Sequence, residues 1–369
     1  MFIDAMGLIL ADHEHVRLSD LTQPRALAAV PFAGRYRIID FILSNMVNSG
    51  IKFVGVLTES KYRSLMDHMG TGASWDLDRM TQRLFILPPF LNTSLRRGDP
   101  TPNLTGLLDY VENGNQAYVV IADSNVVMNE SYSDIYEAHV KSGADITVLY
   151  NCDGDRFGSP VMTLDFDSDG RMKDLLLNAP DMAETKNFLG LTVISRDLFL
   201  NILETMIARG QSEFSQLMLL RMFDELNIHG FEHQGKSLRI NSVSTYYSAS
   251  MQLLKKETLS DLFREDRLIY TKVKNEAPAE FLAGCKVKNV LSSDGCRFMG
   301  TVENCVFFRS VQVGKHASVK NSIIFQDVVI QEGAILDHVI IDKDCVIRSG
   351  VELKGQPDYP IVIEKGAIV

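Results

Sequence analysis

The last third of the chain repeats itself, and no other feature narrows the fold as much. From about Val287 helical periodicity stops. Apolar residues then recur every five or six positions, at Val302, Phe308, Val313, Val319, Phe325, Ile330, Leu336, Ile341, Ile347 and Leu353. Small residues follow at the fourth position in Val313-Gly314-Lys315-His316-Ala317 and Ile330-Gln331-Glu332-Gly333-Ala334. So short a unit cannot bury its own apolar corner and must stack on the next, which predicts a parallel β-helix of hexapeptide repeats. A β-sandwich would need turn signals about every 8 to 12 residues, and these are missing.

The first two thirds read differently. Gly7-Leu8-Ile9-Leu10-Ala11, Phe53-Val54-Gly55-Val56-Leu57, Ala117-Tyr118-Val119-Val120-Ile121 and Asp145-Ile146-Thr147-Val148-Leu149 are short apolar runs with the look of buried strands. Helical stretches over residues 40–49, 61–68 and 132–142 alternate with them. Such β-α-β alternation predicts an α/β domain with a mostly parallel sheet, where ligands bind at the carboxyl ends of the strands. Between the two regions, Met251, Leu254, Leu259, Leu262 and Phe263 space as one helical linker over residues 246–264 that packs on both domains. The expected division is 1–245, a linker 246–280, and 281–369.

A net charge of −10 and no basic run argue against nucleic acid, because phosphate backbones are held by clustered Lys and Arg. No apolar stretch approaches the roughly 18 residues of a membrane span, and the first residues lack a signal-peptide pattern, so a cytoplasmic protein is expected. Five cysteines without C-x-x-C spacing (Cys152, Cys285, Cys296, Cys305, Cys345) read as buried free thiols, not as disulfides or a zinc site.

Longer strings carry a resemblance. Gly7 to Ala11 is followed by Arg17-Leu18, Asp20-Leu21-Thr22, Ala29-Val30-Pro31-Phe32, Arg37-Ile38-Ile39-Asp40-Phe41, Leu43-Ser44-Asn45 and Asn48-Ser49-Gly50-Ile51. Trp75 to Arg79, Ile86-Leu87-Pro88-Pro89, His139, Ala144 to Thr147 and Ile340-Ile341-Asp342-Lys343 continue the series. In order and spacing the chain resembles bacterial glucose-1-phosphate adenylyltransferases, also called ADP-glucose pyrophosphorylases, over essentially its whole length. The resemblance implies a Rossmann-like, GT-A-like nucleotidyltransferase domain followed by a left-handed parallel β-helix.

It also implies a chemistry whose parts can be looked for one at a time. ATP and a sugar 1-phosphate bring several negative charges together, which backbone N–H groups, Lys or Arg and Mg²⁺ must absorb. Where the family has a glycine-rich loop, this chain has Asp12-His13-Glu14-His15. A triphosphate lies against the backbone only where no Cβ intrudes, and each like charge at about 4 Å costs on the order of 4 kcal/mol near a surface. Asp12, His13, Glu14 and His15 do not read as a metal cluster, since consecutive loop residues seldom converge on one ion. Arg17 persists after the loop.

Leu27 stands where the family's R-x-K-P-A-V pattern has its lysine. Arg97-Gly98-Asp99-Pro100 replaces a G-T-A turn, leaving Asp99 at a loop position reshaped by proline. Asp123 matches one metal carboxylate, but the second falls on Arg239, a guanidinium that does not deprotonate. Ala179 stands in place of the sugar-phosphate lysine and offers no charge-assisted hydrogen bond. Scaffold kept and chemistry removed is the pattern of GlgD-type, non-catalytic subunits. No cofactor, bound nucleotide or metal is expected.

The resemblance further implies assembly with a catalytic homologue, as a heterotetramer, with a homo-oligomer as the form taken alone. The family's regulators bind between the two domains at basic residues. By position Arg25 and Arg37 match two of these, whereas Pro24 and Pro31 replace others; the alternative for Arg37 is a scaffold salt bridge. Two other readings remain: an active enzyme with altered loops, and a sugar-phosphate sensor without turnover.

Overall fold

The structure is a computed structural model that describes residues 3–12, 16, 18–58, 61–80, 82–88, 104–152, 162–177, 185–211 and 214–369. The opening strand β1 (Ala5–Leu10) is buried at every position and lies parallel to two neighbours, as a strand covered on both faces must. Helix α1 (Ile38–Asn48) follows, then β2 (Phe53–Leu57), α2 (Arg63–Met69), β3 (Arg83–Leu87), α3 (Leu104–Glu112) and β4 (Tyr118–Asp123). Strand β5 (Val126–Met128), α4 (Tyr132–Ser142) and β6 (Ile146–Asn151) complete the expected alternation.

The chain then does something the alternation did not foretell. A hairpin of β7 (Met162–Phe166) and β8 (Met172–Leu177) leads into the long strand β9 (Lys186–Ser195), which runs antiparallel to β4, β6 and β7. After α5 (Arg196–Ala208) and α6 (Gln216–Leu220), β10 (Ile228–Glu232) returns parallel to β6. The nine strands make one sheet with the path β8-β7-β9-β4-β1-β2-β3, and β6 and β10 branch from β9. Seven of them point one way; β8 and β9 oppose them. Strand β11 (Ser237–Arg239) pairs only with β5, outside this sheet.

Helix α1 is buried on nearly all sides because it serves two cores. Ile39, Ile42, Leu43 and Met46 pack under the sheet, while Ile38 and Phe41 face a second cluster that also holds Tyr246, Leu262, Phe308 and Phe325. Its start is fixed by the Asp40 carboxylate, which accepts the Arg37 backbone N–H at 3.0 Å. The linker is two helices, not the single one expected: α7 (Val243–Gln252), capped by Ser242, and α8 (Lys256–Leu262). Past α8, an extended strap without helix or strand runs to residue 279 and is tied down by side chains. Asn129 donates to the carbonyls of Leu262 and Arg267, Asn48 to that of Leu268, and Ser44 Oγ accepts the Tyr270 N–H.

The C-terminal region is a nearly closed parallel coil. One ladder runs through Phe281, Phe298, Val313, Ile330 and Ile347, a second through Val302, Val319, Leu336 and Leu353, and a third through Phe307, Ile324, Ile341 and Ile363. Seventeen residues make a typical turn, as from Val313 to Ile330 to Ile347, so three near-hexapeptides close one circuit. The corners need left-handed backbone, and residues that tolerate it recur there: Asn304, Asn321 and His338 at one, Ser310, Asp327 and Asp344 at another.

Along the first corner the asparagine amides stack. Asn289 donates to Asn304, Asn304 to Asn321 and Asn321 to Asp337, at 2.9, 3.2 and 2.9 Å. Two expected markers turn outward: Phe307 and Ile324 fill the coil interior, whereas their neighbours Phe308 and Phe325 cover the face that meets the first domain. Cys296, Cys305 and Cys345 are buried in the coil, and Cys152, expected buried, is exposed. Among the described residues no helix is long and apolar enough to cross a membrane.

Candidate functional site

Two places gather the residues singled out by the sequence. The first lies at the carboxyl end of β4. Asp123 ends that strand, 7% exposed, with Gly190 of β9 close against it. Gly190 has φ +73, and a Cβ there would sit 2.8 Å from the Asp123 Cβ and 3.2 Å from its Oδ2. The register of β9 against β6 slips between Phe188 and Thr192, which lets the chain bulge around the aspartate.

Arg239 comes in from β11, a half-buried side chain that donates from Nη2 to the Phe188 carbonyl. Burial pulls its guanidinium down to about 10, and the Asp123 carboxylate acts in the opposite sense. The position that the resemblance gives to a second metal carboxylate is thus a cation that feels Asp123. Among the described residues no three His, Cys, Asp or Glu side chains gather into a group that could hold a metal ion.

Beside Arg239 opens a cleft of about 470 Å³, lined by Asn151, Asn187, Ser237, Ser248 and Gln252. Asn151 Nδ2 donates to Ser237 Oγ at 2.8 Å, and among the described residues Arg239 is the one charged side chain on its walls. Leu27, where the family has a lysine, is 2% exposed in the cluster between the domains, so its side chain fills a core rather than facing a phosphate. Asp12 is described, at the end of β1 and half-buried; His13, Glu14, His15, Arg17, Asp99 and Ala179 lie outside the described residues.

The second place is a cleft of about 680 Å³ between the domains. The N-terminal segment supplies Arg35 and Arg37, the strap Lys272 and Lys274, and the coil Arg309 and Lys343. Among the described residues these six cations face one carboxylate on the lining, Asp67, in a chain whose net charge is −10. That concentration of one sign against the overall field gives the cleft a positive potential. Arg37 Nη1 donates to the Ser64 carbonyl and hydroxyl at 2.6 and 2.7 Å, and burial, opposed by Asp40, lowers its guanidinium to about 10.

On the floor, His68 Nε2 lies 2.5 Å from Asp40 Oδ1. Burial lowers the imidazole pKa, against the pull of that carboxylate. Arg25 is not on the lining. It is 2% exposed, and its Nη2 holds both oxygens of Asp342 at 3.0 and 2.9 Å, joining the first domain to the coil. Sequence reasoning missed Arg35, Lys272, Lys274, Arg309 and Lys343, which are scattered singly over three segments. Lys343 sits in a string already noted, next to Asp342, and carried no sign of which way it faced.

With this geometry in hand, likeness to known proteins can be weighed. Residues 6–175 match the Nucleotidyl transferase family model, and residues 277–358 match the GlmU-like, C-terminal hexapeptide model. The glycogen biosynthesis protein GlgD of Bacillus subtilis is 36% identical over 95% of this chain and 93% of its own length. Its namesake from Geobacillus stearothermophilus is 38% identical over 98% and 96%. A glucose-1-phosphate adenylyltransferase of Pseudothermotoga lettingae is 32% identical over 85% and 76%. Both regions of the fold are thus accounted for by a single lineage, and the chain belongs to the GlgD branch of the glucose-1-phosphate adenylyltransferase family.

Proposed function

We propose that the chain is a non-catalytic regulatory and assembly subunit of an ADP-glucose pyrophosphorylase, tuning a catalytic homologue in bacterial glycogen synthesis. One observation carries this reading: Arg239, with its guanidinium under the influence of Asp123, stands where the resemblance calls for a second carboxylate. A metal held by Asp123 alone would meet a fixed positive charge instead of a ligand, and adenylyl transfer depends on that metal to absorb phosphate charge. The buried Leu27 points the same way. The relatives' names support a place in glycogen metabolism.

What remains for the chain to do falls to its surfaces. The basic interdomain cleft suits a phosphorylated effector, and the first coil turn suits a partner. Strands Glu280–Phe281 and Lys286–Ser292 pair along one side only, and Phe281 is 54% exposed although it belongs to an interior ladder. This edge and the linker helices are the surfaces on which a heterotetramer would build.

The test is to purify the chain alone and together with its co-expressed homologue, then compare mass and the rate of ADP-glucose formation. The lone chain is expected to be inactive, and the mixture to form one larger species whose rate or effector response differs from that of the homologue alone. A lone chain as fast as the mixture would sink the proposal in favour of an active enzyme. The polar cleft that Arg239 lines favours, as second reading, a sugar-phosphate sensor; calorimetric titration with glucose 1-phosphate decides it.

A further inference from the structure

We infer that residues 264–274 are a releasable strap, closed by a buried clasp of Glu130, His233 and Arg267, and that the ribbon of β5 and β11 ties its closure to the Arg239 cleft. The inference is independent of whether the chain turns over a substrate.

Polar contacts hold the strap more than burial does. It has no helix or strand, and of its apolar side chains only Ile269 packs against the shared core, while Leu268, Tyr270 and Val273 are exposed. A segment with so little apolar burial opens by itself, at a free energy well below that of global unfolding.

Its fastening sits at Glu130, two residues past the end of β5. One carboxylate oxygen accepts the Ser131 N–H at 2.7 Å and lies 3.6 Å from Nη1 of Arg267 in the strap; the other meets Nδ1 of His233. The His233 side chain is almost wholly buried and that of Glu130 largely so. Beside them Asn129 Nδ2 donates to the carbonyls of Leu262 and Arg267. Yet His233 Nε2, Asn129 Oδ1 and Arg267 Nε are buried and meet no hydrogen-bond partner among the described residues. A charged cluster satisfied only in part holds the strap without welding it, because opening hydrates the unmet groups.

Both ends of the device stand on one ribbon. Strands β5 and β11 pair only with each other, in the register Val126–Arg239, Val127–Leu238 and Met128–Ser237. At one end Arg239 reaches the Phe188 carbonyl, and the Ile240 N–H donates to the carbonyl of Asn125, two residues past Asp123. At the other, Asn129 and Glu130 continue β5, and the Lys236 N–H donates to the Asp261 carboxylate of α8 at 2.6 Å. So short a two-stranded ribbon does not hold its shape alone and moves with its anchors. A shift of Arg239 therefore reaches Glu130 along the ribbon, and an open strap carries Lys272 and Lys274 away from the interdomain cleft that they line.

The experiment follows strap opening with a thiol. Thr271→Cys places one where the native hydroxyl is buried and meets no partner among the described residues. Its alkylation by N-ethylmaleimide in the full chain is followed peptide by peptide by mass spectrometry, and the buried Cys296 and Cys345 of the coil report global unfolding in the same samples. Glu130→Gln is expected to speed labelling of the strap thiol at least about tenfold and to leave Cys296 and Cys345 unchanged. Arg267→Gln, which removes the strap's half of the clasp at a partly exposed side chain, is expected to act the same way. Arg239→Gln is expected to speed labelling about threefold, and to add nothing once Glu130→Gln is present.

Unchanged labelling in Glu130→Gln and Arg267→Gln overturns the inference, since the strap is then fastened elsewhere. Faster labelling of Cys296 and Cys345 along with the strap thiol overturns it too, by making Glu130 a stabiliser of the whole fold. So does an Arg239→Gln effect that is absent, or that adds in full to that of Glu130→Gln, because the ribbon then carries nothing to the clasp.

Discussion

Arg25 and Asp342 are 317 positions apart in sequence and both almost wholly buried, so neither can lose its partner cheaply. Asp342→Ala is expected to cost about 3 to 5 kcal/mol in urea unfolding by stranding a buried guanidinium, whereas Arg25→Met with Asp342→Leu costs far less. The cation at Arg25 was legible in the sequence, but its direction was not, because the acid it meets lies in another domain. Arg239 was more readable, since the resemblance sets it at the second metal carboxylate and a guanidinium is charged wherever it sits. Gly190→Ala would drive a Cβ into Asp123 at a positive φ, and about 2 kcal/mol or more of destabilisation is expected, measured the same way. His139, 2% exposed and 2.8 Å from Thr147 Oγ1, is held down to about 4 by burial against the pull of Asp145. The unfolded chain then binds the extra proton first, so stability present above pH 6.5 is lost as pH falls toward 4. The wild type should lose about 2 to 3 kcal/mol more across that window than His139→Gln, as followed by unfolding at stepped pH.

Elements built from local signals were read well: the helix expected over 132–142 is α4, and β2 has the bounds its apolar run marks. Long-range pairing was not readable. Nothing in Lys186–Ser195 says that it opposes its neighbours, because the direction of a fully buried strand is set by its connections and not by its own pattern. The linker helix broke in two at residues 253–255 because three turn-type hydrogen bonds close there, a choice that apolar spacing cannot express. In the coil, spacing found the period but not the facing: Phe307 and Phe308 are equally apolar, and only the corner at Asn304 decides which one enters. Turns there approach so closely that a Cβ on Gly300 would lie 2.4 Å from the Ala317 carbonyl, while one on Gly284 meets nothing. Gly300→Ala should therefore lower the thermal midpoint by several degrees relative to the wild type, whereas Gly284→Ala, clear of contacts, bears only the backbone strain of its φ of +88; both are read by differential scanning calorimetry.

At the scale of the molecule, the two domains share a core rather than touch. Phe308 and Phe325 of the coil join Tyr246 of α7 and Phe32 and Phe41 of the first domain in one aromatic cluster, with Tyr246 donating to the Pro31 carbonyl at 2.7 Å. A chain ended at residue 279 would uncover that cluster, and it is expected to aggregate in light scattering under conditions where the full chain does not. The coil itself has a further consequence for how relatives of this protein can vary. Most ladder steps are seventeen residues, Phe298 to Val313 closes in fifteen, and the one larger step, from Ile341 to Ile363, sheds its surplus in a loop with Tyr359 83% exposed. Growth along this axis is therefore quantised: whole circuits can be added or removed without altering the cross-section, and a surplus well beyond the fifteen to seventeen residues of a circuit leaves the wall as a side loop.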